Sequence, residues 1–270
     1  MSFFWKSIES YQQQLATWSP AQGLSGDIAQ ACQNMCQALR SADAFSAVSD
    51  PASEENIINC RRNCVDSWSN LNSLIEHETA EIALSTTSDY ASFLQLGSTH
   101  WLLKGSREMV DAEHALLAAH GINLRGLKTC MIGPGAIPYT GLALAAAGAA
   151  VDLVDMYGPA CDFSRRWMHK FFPATPFAMH QCPGQDMDYS GYDLVIVASM
   201  LLCRTDVMQQ IRTGNPRHVV VRSTENTRPL CVLLNQVSES ELATLSPATL
   251  LGSTIPPQWV GNTSMLYQLA

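Results

Sequence analysis

The sequence predicts an α/β domain built on a parallel, doubly wound sheet with an antiparallel edge hairpin, preceded by an all-helical N-terminal domain. Three observations predict it. Up to about residue 118 apolar residues recur at helical spacing. From residue 127 short apolar runs alternate with helical stretches, the pattern of a parallel sheet with crossover helices. Near the end of the sequence two strand-like runs follow each other with only a turn segment between them.

The helical pattern is clearest at Ile57, Cys60, Cys64, Trp68, Leu71 and Ile75, which fall three or four residues apart. Ser49-Asp50-Pro51 and Ser53-Glu54-Glu55 carry the small polar cap and first-turn acids of helix starts. Residues 128–132, 151–154, 176–180, 194–198 and 218–221 each look like a buried strand. Residues 142–150 (LALAAAGAA) form a small-residue helix after the first of them. The closing pair spans 249–255 and 263–269, joined by a segment holding Pro256-Pro257 and Gly261-Asn262. A boundary at 118 divides the chain into a helical domain, 1–118, and a sheet domain, 119–270.

Composition limits the function classes. Of 270 residues, 47% are hydrophobic and 15% charged, so the chain can bury a sizeable core and disorder is a poor reading. A formal net charge of -8 and a pI near 5.3 offer no basic face for nucleic acid. No apolar run reaches the ~18 residues of a membrane span, and residues 1–14 turn polar too early for a secretory signal. Nine cysteines, an odd number without such a signal, read as cytoplasmic thiols rather than a disulfide framework. The expected partners are therefore a small-molecule substrate, neither nucleic acid nor membrane, with a homodimer compatible with so thiol- and methionine-rich a chain.

The chemistry concentrates in Ile132-Gly133-Pro134-Gly135-Ala136-Ile137-Pro138-Tyr139-Thr140-Gly141, between the first strand and its helix. Glycines there let backbone approach a ligand closely. Asp155 ends the next strand twenty residues after Gly135, the spacing of an acid that bonds ribose hydroxyls. The third glycine of a dinucleotide loop is missing, and Pro138 removes an N–H that a pyrophosphate would need. The pocket thus suits a nucleoside without phosphate, and S-adenosylmethionine is such a cofactor. Asp186, in the loop after the third strand, is placed to meet the adenine amino group. Ser199 lies beyond the fourth strand's carboxyl end, where sheet ligands bind. Arg222 on the fifth strand can equally pair with the donor's carboxylate or form an interior salt bridge. Trp101, Tyr139 and Tyr157 are candidate aromatic walls for a sulfonium, with Thr140 beside Tyr139 and Met156 beside Tyr157. Two further patterns are weaker. His77-Glu78-Thr79-Ala80-Glu81 begins like a zincin helix but has Glu81 where the second histidine belongs. Cys32/Cys36 and Cys60/Cys64 sit at i,i+4, wider than zinc knuckles favour, so no metal is expected.

The loop from Gly133 to Thr140, followed by Asp155, resembles nicotianamine synthases and the bacterial opine-metallophore synthases related to them. The stretch Tyr192-Asp193-Leu194-Val195-Ile196-Val197-Ala198-Ser199 is similar to that family's fourth strand, and Val219-Val220-Val221-Arg222-Ser223 to its fifth. Residues 109–117 (MVDAEHALL) resemble the helix whose glutamate sits over the substrate, which implies a role for Glu113 as base or ammonium anchor. The resemblance implies a class I methyltransferase-like (Rossmann-like) fold, with the N-terminal helices as a cap. It also implies use of the 3-amino-3-carboxypropyl group of S-adenosylmethionine, with release of methylthioadenosine. The chain departs from the family at Ser98-Thr99-His100-Trp101-Leu102-Leu103-Lys104, which lacks tyrosine and asparagine, and at Thr224-Glu225-Asn226-Thr227-Arg228. These departures fall on the acceptor side. They leave open transfer to a small amino acid or cyclisation of the donor to azetidine-2-carboxylate, as azetidine-2-carboxylate synthase-type enzymes do. A small-molecule methyltransferase and a non-catalytic binding module are the alternatives.

Overall fold

The computed structural model describes residues 3–16, 18, 26–39, 41–50, 53–201, 203–224, 236–254 and 262–270. Helices come first: α1 Phe3–Ala16, α2 Gly26–Leu39, α3 Ala42–Ser49, α4 Glu54–Thr86, α5 Tyr90–Thr99 and α6 Trp101–Ala119. Strand–helix alternation follows: β1 Lys128–Ile132, α7 Tyr139–Ala146, β2 Ala150–Asp155, α8 Gly158–Phe171, β3 Phe177–Gln181, β4 Leu194–Val197, α9 Arg204–Gly214 and β5 His218–Ser223. The chain closes with α10 Glu239–Ala243, β6 Ala248–Ser253 and β7 Thr263–Leu269. No helix among the described residues is long and apolar enough to cross a membrane.

Two compact units emerge. The first holds α1 to α3 and α4 as far as Ile75. The second starts at Glu76, runs to Ser223, and takes in α10, β6 and β7. The division falls within α4. The physical reason is that Phe93 of α5 and Leu103, Val110 and Leu117 of α6 belong to the same core as the sheet. In the first unit α1 presents Phe4, Ile8, Tyr11 and Leu15 as one buried stripe, the three-to-four spacing of a helix with one apolar face.

The second unit is a seven-stranded sheet in the order β3-β2-β1-β4-β5-β7-β6. The first five strands are parallel, and β7 runs antiparallel to both β5 and β6. The edge pair expected from the sequence is present, with β7 inserted between β5 and β6. Period two sorts the strands onto two cores. Met131, Leu153, Ile196 and Val220 join helices α5 to α8 on one face. Cys130, Ile132, Val154, Val195 and Val221 join Val207, Met208 and Ile211 of α9 on the other. Residues 142–150 are not one helix. Pro138 stands at the N-cap position without a side-chain cap, α7 starts at Tyr139, and Gly148 at φ +86° turns the chain into β2.

Four side chains from four elements close a buried network beneath the first core. Arg222 of β5 donates from Nε to Glu113 Oε1 at 2.7 Å and from Nη2 to Glu113 Oε2 at 2.8 Å. It also donates from Nη2 to Thr140 Oγ1 at 2.6 Å, and Ser264 Oγ of β7 donates to Glu113 Oε1 at 2.5 Å. Glu113 is 1% exposed and Arg222 5%. The network engages three residues that the sequence offers to a ligand: Glu113 is ion-paired with Arg222, the interior salt bridge that is the alternative reading of that arginine, and the Thr140 hydroxyl accepts from the same guanidinium. A bidentate pair this deep is costly to break from one side, since the surviving charge stays buried. Glu113→Ala should lower unfolding free energy by about 3–5 kcal/mol in urea denaturation, with Glu113→Ala/Arg222→Met recovering part of the loss.

Candidate functional site

The glycine loop leaves β1 at the carboxyl edge of the sheet and is held from two sides. Gly133 and Gly135 have φ of +73° and +69°, the left-handed region that only glycine enters freely. Gly135 N donates to Asp155 Oδ2 at 3.3 Å, and Ile137 N donates to Glu76 Oε1 at 3.1 Å. On the other side Ser164 Oγ and Trp167 Nε1 of α8 donate to the carbonyls of Gly135 and Ala136, each at 3.1 Å. A Cβ on Gly135 would fall 2.5 Å from Glu76 Oε1. Glycine at 135 is thus what lets the Glu76 carboxylate lie against the loop.

Glu76 is the residue that sequence reasoning missed. It sits in α4, 61 positions before the amide it accepts from. The visible signal was the charged triplet Glu76-His77-Glu78 beside the apolar stripe that includes Ile75, the segment dismissed as a broken zinc motif. Of that motif, Glu81 is engaged in a surface pair with Arg166, at 2.8 and 3.0 Å. The His77 ring lies 5.5 Å from that of Tyr157 and 5.4 Å from that of Phe163. Among the described residues no group of three or more His, Cys, Asp or Glu is arranged to hold a metal. The side chains of Cys36, Cys64 and Trp101 lie outside the described set, as do residues 225–228 and 256–261.

Asp155 stands at the end of β2, as its spacing predicts, and takes the Tyr157 amide on Oδ1 at 2.9 Å as well as that of Gly135. The two acids therefore share one short stretch of backbone. Burial pushes the Glu76 carboxyl up to about 7, aided by the neighbouring Asp155 charge and opposed by the Ile137 and Ala136 amides. Burial also raises Asp155, against the amides of Tyr157, Gly135 and Met156 and the nearby His77. Pro134 is buried within the loop. Met156 is 60% and Tyr157 51% exposed, large apolar surfaces left uncovered beside Asp155. Asp186, itself exposed, closes a 3-10 turn, Gly184–Asp186, beyond β3. Ser199 follows β4 and is held through its carbonyl by Arg204 Nη2 at 2.7 Å.

Tyr139 is a correction. Its ring faces the core, 5.2 Å from that of Phe93, with the hydroxyl over Gly97, and 4% of the residue is exposed. As the first residue of α7 it turns inward onto α5.

The paired acids carry a pH signature. A carboxyl whose folded pKa exceeds its ordinary value binds more protons folded than unfolded, so stability falls as pH rises between the two values. Unfolding free energy should decline from about pH 4.5 to about pH 7 and level off above, with the Glu76 value as the upper edge. Urea denaturation across this range should show the decline in the native chain and a flatter profile in Glu76→Gln.

No family model matches the chain, and no curated sequence matches it significantly. Solved structures do. MtNAS, as a glutamate-to-glutamine variant in complex with S-adenosylmethionine, superposes with a TM-score of 0.75 at 17% identity, covering 100% of this chain and 99% of that one. MtNAS in complex with MTA and tNA gives 0.74 at the same identity and coverage. Magnesium protoporphyrin IX methyltransferase from Synechocystis PCC 6803, with bound SAM, gives 0.51 at 17% identity over 63% of this chain and 82% of that one. This chain has an α/β, Rossmann-like, methyltransferase-type fold, and its full length follows the fold of MtNAS.

Proposed function

We propose that the protein uses S-adenosylmethionine as a 3-amino-3-carboxypropyl donor. One observation carries the reading: the loop's amide hydrogens at Gly135 and Ile137 are already given to Asp155 and Glu76. A diphosphate at this loop would meet two carboxylates instead of free N–H groups, whereas a sulfonium and an ammonium would meet opposite charge. The exposed faces of Met156 and Tyr157 offer apolar cover for an adenosine. Support also comes from the full-length likeness to MtNAS, a nicotianamine synthase crystallised with S-adenosylmethionine and with MTA.

In the reaction an amine nitrogen attacks the side-chain carbon next to sulfur. The C–N bond forms as the C–S bond breaks, and sulfur keeps the bonding pair and leaves as the neutral thioether of methylthioadenosine. The nitrogen then sheds one proton. Glu76 is the acceptor placed for it, because burial and Asp155 hold its carboxyl near 7, where a base is effective at neutral pH. Most of the remaining work is positioning, since the leaving group carries its own activation. Asp155 keeps the ribose-binding role its spacing implies, Asp186 meets the adenine, and Ser199 borders the pocket at β4.

The amine is either the donor's own, giving azetidine-2-carboxylate, or that of a small amino acid. Incubation with S-adenosylmethionine alone should release methylthioadenosine. Azetidine-2-carboxylate alongside it identifies cyclisation, and release only after an amino acid is added identifies transfer. S-adenosylhomocysteine as product would instead establish methyl transfer, the reading that the methyltransferase neighbours favour. Binding without any turnover would leave a ligand-binding module. Glu76→Gln should cut turnover by about 10²-fold or more while leaving S-adenosylmethionine bound, as calorimetry would show.

A further inference from the structure

The second unit has a recess at the edge of the sheet opposite the glycine loop. It opens where β1, β4 and β5 begin and β7 ends, beside the turn that follows α6, and its volume is about 370 Å³. Small-molecule sites occupy about 300–1,000 Å³. The five residues of β1 separate it from the loop by about 16 Å, so it is not part of the site described above.

Its walls carry both signs of charge. Alternation along β5 places His218 on the α6 face, two residues before Val220 in the core and four before Arg222 on Glu113. His218 is 8% exposed. Its backbone amide donates to the Asp193 carbonyl at 3.0 Å, and burial together with the Arg217 cation pushes the ring's pKa down. Asp193 takes the Lys128 amide on Oδ2 at 2.8 Å, and its charge also borders the recess. The carboxyl end of α6, at His120, adds the negative pole of a 19-residue helix. Against these stands Arg217, exposed at the rim and ion-paired with no carboxylate among the described residues. Leu127 and Leu251 supply apolar wall.

We propose that this recess binds a free α-amino acid with an apolar side chain, as its zwitterion. Arg217 holds the carboxylate, Asp193 holds the ammonium, and the side chain lies along Leu127 and Leu251. A simple anion would face Asp193, and a simple cation would face Arg217. Only a ligand with both charges satisfies both walls.

The test is calorimetric titration of the full chain, saturated with S-adenosylmethionine, with L-leucine. The controls 4-methylpentanoate and 3-methylbutylamine each lack one charge. L-leucine should bind at one equivalent and at least tenfold more tightly than either control. Arg217→Ala should weaken L-leucine at least tenfold with S-adenosylmethionine affinity unchanged. Asp193→Asn, which keeps an acceptor for the Lys128 amide, should weaken L-leucine but not 4-methylpentanoate. Equal binding of 4-methylpentanoate and L-leucine, no binding of L-leucine, or binding indifferent to Arg217→Ala would each overturn the proposal.

Discussion

At the carboxyl edge of the sheet two carboxylates from distant parts of the chain grip the same few backbone amides. Glu76 reaches the loop from α4 and Asp155 from the end of β2, and between them they take the N–H groups of Ile137 and Gly135. Ser164 and Trp167 hold the loop's carbonyls from the other side. This double grip determines the site's chemistry. A loop of glycines at a strand end ordinarily offers donors to phosphate. Here the same geometry presents acceptors, and the electrostatic preference of the site is reversed.

The acids and the ion pair below them divide the labour. The Glu113–Arg222 pair, tied to Thr140 and Ser264, joins α6, α7, β5 and β7 in one buried unit. It anchors the helix that begins just after the glycine loop. Glu76 pairs with no cation among the described residues, and burial pushes its carboxyl up to about 7. One buried glutamate lies against a guanidinium; the other lies against backbone amides and a second carboxylate.

Much of the fold was legible. All five parallel strands lie within a residue or two of their apolar runs, because a buried parallel strand has no polar alternation to blur its ends. The loop and Asp155 were legible because their spacing is local to one strand–turn–helix–strand unit. What stayed hidden was non-local. Nothing in the spacing relates Glu113 to Arg222, 109 positions apart, so each looked available for a ligand. Tyr139 was misplaced for a different reason. It lies within the loop motif, but Pro138 starts α7 so early that the ring already belongs to a helix packed inward. Glu76 fell on the border of an apolar stripe in a helix read only for its packing.

The place of β7 between β5 and β6 has a consequence for biosynthesis. A ribosome delivers β7 after every strand it separates or completes. Until it emerges, β5 shows a bare row of hydrogen-bonding groups and Glu113 lacks the hydroxyl of Ser264. A nascent chain halted before that point carries an open sheet edge, the surface on which unfinished proteins find one another. The order of synthesis thus leaves the seam of the sheet to its last strand, which pairs on one side with β5 and on the other with β6.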